Sequence, residues 1–146
     1  MKILHIITSL ELGGAEKLIT ELIPLQKERA EVDLLVLFDR NNTFIMESMV
    51  SKYNSRRDLR NIWEIFKIIR KGKYDIVHTH LIHAQFFTGI ASLLDFSKKR
   101  KYVTTEHSTS NRRRERGIFR YFDRALFSRY SDVLYSGLSS TSLNKV

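Results

Sequence analysis

Five short runs of apolar, largely β-branched residues, each separated from the next by a segment long enough for a helix, constrain this chain more than any other feature. They occupy residues 2–8, 32–38, 74–78, 101–105 and 132–135. The first run shows no polar–apolar alternation, the pattern of a strand buried on both faces. Between the first two runs, Ala15, Leu18, Ile19, Leu22 and Ile23 recur at the spacing of one helical face. Pro24 follows on the same segment and is expected to kink that helix or end it early. Asp58 is placed to cap a second helix carrying Leu59, Ile62, Trp63, Phe66 and Ile69. The run Arg70-Lys71-Gly72-Lys73 reads as its C-terminal stop. Phe86, Phe87, Ile90, Ala91 and Leu94 mark a third helix. A basic helix is expected over residues 114–129, burying Ile118, Phe119, Phe122, Ala125 and Leu126, and Ser139 opens a last one. Residues 41–58 carry no readable period.

Repeated strand–helix–strand units imply a parallel sheet with helices on both faces, a Rossmann-like three-layer α/β sandwich. The 146 residues suffice for one such domain. No apolar stretch approaches the ~20 residues that cross a bilayer. The opening residues read as a strand and not as a leader. Cysteine is absent, which excludes disulfides and thiolate metal sites in this sequence and is compatible with a cytosolic setting.

The formal charge of +9 is concentrated. Eleven basic residues fall between Ser97 and Arg129 against only Glu106, Glu115 and Asp123. That region therefore calls for an anionic partner: a phosphorylated lipid, a membrane surface, a nucleotide phosphate or a nucleic acid. Arginines beside Phe119, Phe122 and Phe127 suit an anionic membrane surface, around residues 112–129. The aromatics sit at core positions instead of forming a base-stacking platform, and no nucleic-acid motif is visible.

In sheets of this class ligands bind beyond the carboxyl ends of the strands, so the polar segments there are the ones to weigh. Gly13-Gly14 joins the first strand to the first helix. It is either an ordinary turn or a place where backbone N–H groups and the helix dipole meet a phosphate. It lacks the third glycine of a dinucleotide fingerprint. His78, His80 and His83 have a spacing that zinc could use, with His107 as a further ligand of a zinc hydrolase. The aspartate of the familiar metallohydrolase pattern is replaced by Ile82, no aspartate-rich segment follows, and the spacing is better explained by structural histidines, one half-buried against the sheet and the others at the strand end. Thr104-Thr105-Glu106-His107-Ser108 ends the fourth strand, where a histidine is placed to move a proton near neutrality.

Taken in order, Lys2 to Ser9 with Gly13-Gly14-Ala15-Glu16, then Tyr74-Asp75-Ile76-Val77-His78-Thr79-His80, Thr105-Glu106-His107-Ser108 and Asp132-Val133-Leu134-Tyr135-Ser136, the chain resembles the N-terminal, acceptor-side domain of family 4 retaining glycosyltransferases of the GT-B type. The resemblance implies transfer of a sugar from a nucleotide-sugar to a hydroxyl of a glycan or lipid-linked acceptor, without a metal ion or other cofactor. It also implies synthesis of bacterial surface polysaccharide or glycolipid, in the cytoplasm or peripherally at the inner face of the membrane. The donor would be held by a C-terminal domain outside these 146 residues, so the isolated chain is expected to be inactive. Carried onto this sequence, Gly13 and Gly14 approach the donor diphosphate or the acceptor. His107 is the catalytic candidate. His78, His80, Glu106, Ser108 and Arg112 line the substrate cleft. The absence of a D-x-D motif fits a metal-independent enzyme. The region from residue 41 to 58 is shorter than the resemblance leads one to expect, with a strand missing or rearranged.

Overall fold

The computed structural model describes residues 1–97, 99–106, 130 and 132–135. The basic helix expected over 114–129, the helix opening at Ser139, His107, Ser108 and Arg112 lie outside them. Six strands form one sheet, β1 (Lys2–Ile7), β2 (Glu31–Val36), β3 (Met49–Val50), β4 (Ile76–His80), β5 (Lys101–Glu106) and β6 (Asp132–Tyr135). Every pairing is parallel, in the order β3-β2-β1-β4-β5-β6. Among the described residues three helices are interleaved: α1 (Gly14–Lys27), α2 (Arg60–Gly72) and α3 (Ile82–Leu93).

Alternate residues of β1 divide the core into two layers. Ile3 and Ile7 pack with Ile19 and Ile23 of α1 and Val32, Leu34 and Val36 of β2. Leu4 and Ile6 pack with Ile65 and Ile69 of α2 and Ala84, Phe87 and Ala91 of α3. The sheet is thus covered on both faces, which is why β1 reads as a largely apolar run without alternation. The expected sandwich is what forms.

Several local expectations are corrected. Helix α1 runs three residues past Pro24. Pro24 is exposed, and the carbonyl left without its N–H partner belongs to the half-buried Thr20. On α2 the buried positions are Asn61, Ile65 and Ile69, while Leu59 and Trp63 are exposed. The face is rotated because Asn61 is wholly buried as an anchor: its Nδ2 donates to the Ser55 carbonyl at 2.8 Å, and its Oδ1 accepts from Ser51 Oγ at 2.5 Å. The α2 stop is displaced by one residue. Lys73, not Gly72, adopts the left-handed conformation (φ 52°, ψ 41°), and Gly72 is needed because a Cβ there would overlap the Tyr74 ring. Strand β4 extends to His80, paired along its length with β1 and β5. Within the unreadable stretch 41–58 lies β3, two residues long and both exposed, too short for any periodicity to announce it.

Candidate functional site

The strand order reverses direction at β1 and β4: β1 leads outward to β2 and β3, and β4 leads the other way to β5 and β6. Adjacent connections therefore leave from opposite faces at this place and open a crevice beyond the carboxyl ends of β1 and β4. The Gly13-Gly14 loop leaves β1 at that edge, His80 ends β4 there, and Thr105 and Glu106 end the neighbouring β5.

The loop after β1 is braced from the segment that follows β2. Leu10 N donates to Asn42 Oδ1 at 2.9 Å, and Thr43 N and Phe44 N donate to the Leu10 carbonyl at 2.8 and 3.1 Å. Arg56 pairs with Glu11 and lies 4.5 Å over the Phe38 ring. From this frame Gly13 enters α1 in an extended conformation (φ −172°), with no side chain capping the helix. A Cβ built on Gly14 meets no atom within 4 Å. Nothing in the fold requires glycine at 14, and the space beside it is open. The first turn of α1 presents backbone N–H groups at this edge, though the buried Glu16 carboxylate folds back beside Gly13.

Between β4 and α3, Leu81 has φ 67° and ψ 152°, a conformation that side chains rarely adopt. Strain of this kind costs about 1–3 kcal/mol and collects at functional positions. It turns the chain sharply enough for Ala84 N to reach Thr8 Oγ1 at 3.4 Å and for Gln85 Nε2 to donate to the Thr105 carbonyl at 3.1 Å. Helix α3 is thereby tied to the ends of both β1 and β5.

The histidines lie in the α1-side layer behind this edge. His78 and His80 are buried, and they are joined by a third residue, His5 of β1, that the spacing argument did not include. His5 Nδ1 and His80 Nε2 are 3.1 Å apart, and His5 Nε2 is 2.7 Å from Gln26 Oε1 of α1. His78 Nε2 is 2.7 Å from Thr105 Oγ1. Burial pushes the His5 imidazole down to about 4, against the opposing effect of its hydrogen bond to Gln26, so it is neutral at physiological pH. His83, the last member of the spaced triplet, is exposed on α3 and does not join the cluster. The signal for His5 was its place on the same strand face as Ile3 and Ile7, where an apolar residue is expected. Of the remaining candidates, Glu106 ends β5.

Two comparisons place this architecture among known proteins. No curated protein sequence matches the chain. Among solved structures it is similar to an alpha-glucosyltransferase in complex with UDP and a 13-mer DNA containing a central A:G mismatch, with a TM-score of 0.63 at 14% identity. That match covers 92% of this chain but only 37% of the other, so the present chain spans little more than a third of that enzyme's length. At this identity the likeness establishes the fold, a Rossmann-like part of a GT-B architecture. The model of Glycosyltransferase Family 4 matches residues 12–135, from the loop after β1 to the end of β6. With the parallel sheet, its switch point and a match over that span, the chain belongs to glycosyltransferase family 4.

Proposed function

We propose that this chain is the acceptor-side half of a retaining glycosyltransferase that moves a sugar from a nucleotide-sugar to a hydroxyl of a glycan or lipid-linked acceptor. The observation that carries the reading is the open space at Gly14, at the uncapped start of α1 and at the switch point of a family 4 sheet. A glycine that the fold does not need, beside backbone donors, suits close approach of a diphosphate or sugar. The UDP bound by the similar glucosyltransferase is consistent with a nucleotide-sugar donor.

In this reading a second domain holds most of the donor, and closure of the two lobes keeps water from the reacting sugar. Charge developing on the departing diphosphate is met by that domain's basic side chains and by the α1 N–H groups. His107, with Glu106, Ser108 and Arg112 around it, orients the acceptor hydroxyl for attack on the face the nucleotide leaves, which retains the anomeric configuration. His78 and His80 support that edge from the layer beneath. No metal ion takes part in transfer. The basic stretch 112–129 holds the protein at an anionic membrane surface where a lipid-linked acceptor resides, in the synthesis of surface polysaccharide or glycolipid. No helix among the described residues is long and apolar enough to cross a membrane.

The test is transfer by the full-length protein with Gly14→Trp and His107→Ala, each checked for native circular dichroism. Both changes are expected to abolish product formation, and NMR of the wild-type product should show the donor's anomeric configuration. Unchanged transfer in both variants sinks the site, and an inverted product sinks the mechanism.

A further inference from the structure

The α1-side layer is built from Ile3, Ile7, Ile19, Ile23 and Val36, yet three imidazoles interrupt it. His5 and His78 are register partners on the paired strands β1 and β4, and His80 lies two residues along the same face of β4. Side chains at such positions share one face of the pleat. Their rings are 4.1 to 5.3 Å apart, centroid to centroid, and one ring nitrogen of each lies within 4.8 Å of the other two. We propose that His5, His78 and His80 form a buried site for a borderline divalent transition ion, zinc above all, behind the crevice and separate from the transfer chemistry.

The donor set selects the class of ion. Three imidazole nitrogens with no carboxylate suit zinc, copper or nickel and do not suit magnesium, calcium or manganese, which require oxygen. Zinc–nitrogen bonds of about 2.0–2.1 Å in a tetrahedron put ligand nitrogens ~3.4 Å from one another. The His5 Nδ1 to His80 Nε2 separation of 3.1 Å is already near this value, so ring rotation need only bring the third nitrogen inward.

Partners on the outer nitrogens support the same reading. Gln26 Oε1 accepts, so His5 Nε2 carries the proton and Nδ1 turns its lone pair toward His80. Metal-bound histidines characteristically hold their second nitrogen in this way, on a carbonyl or carboxylate that fixes the tautomer. Thr105 Oγ1 does the corresponding service for His78 at 2.7 Å. An ion entering the cluster takes the place of the proton shared between His5 and His80, and that proton passes to the other nitrogen of His80. The fourth position goes to water or hydroxide, the latter offsetting part of the ion's charge. His5 and His80 are fully buried and His78 nearly so, so substrate cannot reach the ion and its part is to order structure. The ion would tie β1 to β4 and, through Gln26, to α1.

The experiment uses protein purified without a histidine tag, stripped with a chelator and titrated with zinc against a chromophoric competitor, with cobalt as a spectroscopic substitute. One zinc per chain is expected, a cobalt form with the visible bands of tetrahedral coordination, and a higher Tm with zinc than without. His80→Gln should weaken binding at least 100-fold. Gln26→Leu, which leaves all three ligands in place and so carries the test if His80→Gln fails to fold, should weaken it ~10–100-fold. His83→Gln, on the exposed neighbouring histidine, should change nothing. No stoichiometric zinc in the wild type, equal affinity in Gln26→Leu, or loss in His83→Gln would each overturn the proposal. None of these readouts involves sugar transfer, so the site stands or falls apart from the proposed activity.

Discussion

Replacing Gly14 separates a glycine kept by the fold from one kept by a ligand. Gly14 is the first residue of α1, has no positive φ, and has no neighbour within 4 Å of a built Cβ. Alanine there meets no clash and removes part of glycine's entropy cost, which is roughly 0.5–1 kcal/mol in a helix interior and less in its first turn. Gly14→Ala should therefore leave stability unchanged or raise it by up to about 0.5 kcal/mol. With an m-value of about 1–3 kcal/mol/M in urea, that moves the midpoint upward by no more than about 0.5 M. Gly14→Val, β-branched, should cost less than about 1 kcal/mol at this exposed position. If the loop contacts a diphosphate or sugar through its backbone, the same changes thrust carbon into the approach path. Transfer by the full-length protein should then fall at least tenfold for valine, about 1.4 kcal/mol of lost binding, with alanine between. A destabilisation above 1 kcal/mol by alanine would mean the fold requires this glycine. A stable valine variant with undiminished transfer would mean no ligand comes near it.

Gly72 should behave in the opposite way: Gly72→Ala, though alanine favours helices, should lower stability by about 1–3 kcal/mol because its Cβ overlaps the Tyr74 ring, and a neutral urea midpoint would refute this. Lys73→Gly, at the left-handed cap of α2, should raise stability by about 0.5–1 kcal/mol in the same assay. Asp95 and Arg100 form a buried ion pair, with Tyr102 donating to Asp95 at 2.7 Å and Arg100 Nε donating to the Tyr74 carbonyl at 2.8 Å. Asp95→Asn should cost about 3–5 kcal/mol, much of it recovered in a double variant with Arg100→Met, and simple additivity would show the two to be uncoupled. Burial works to raise the Asp95 carboxyl, but the hydrogen bonds from Tyr102 and Arg100 and the Arg100 charge outweigh it and hold the group below its usual 3.8. A depressed folded value stabilises the native state fully above the ordinary carboxylate range and is lost as pH falls through it. Acid titration of Asp95→Asn should therefore show a flatter loss of stability below about pH 4 than wild type.

Much of the architecture was legible because it rests on local rules. A strand covered on both faces tends to be apolar and β-branched, and that tendency places β1, β2 and β5 within one or two residues of their observed ends. What failed were places where one long-range partner overrides the period. The face of α2 turns on Asn61, whose burial depends on Ser51 and Ser55, and no window centred on α2 contains that information. Strand β3 exists only because β2 offers an edge to Met49 and Val50. The brace on the glycine loop, Asn42 at Leu10 and Arg56 at Glu11, joins residues 32 and 45 positions apart.

By itself, then, the chain's order of apolar runs and helical periods determined a parallel α/β layer sandwich, since both follow from short-range spacing, and the motifs at its strand ends carried the resemblance to its family. Only the tertiary structure decided that His5 belongs with His78 and His80, that His83 does not, and that Gly14 opens onto empty space. Those facts depend on which strands become neighbours. Register between β1 and β4 places residue 5 beside residue 78, and no pattern read along one dimension contains that distance.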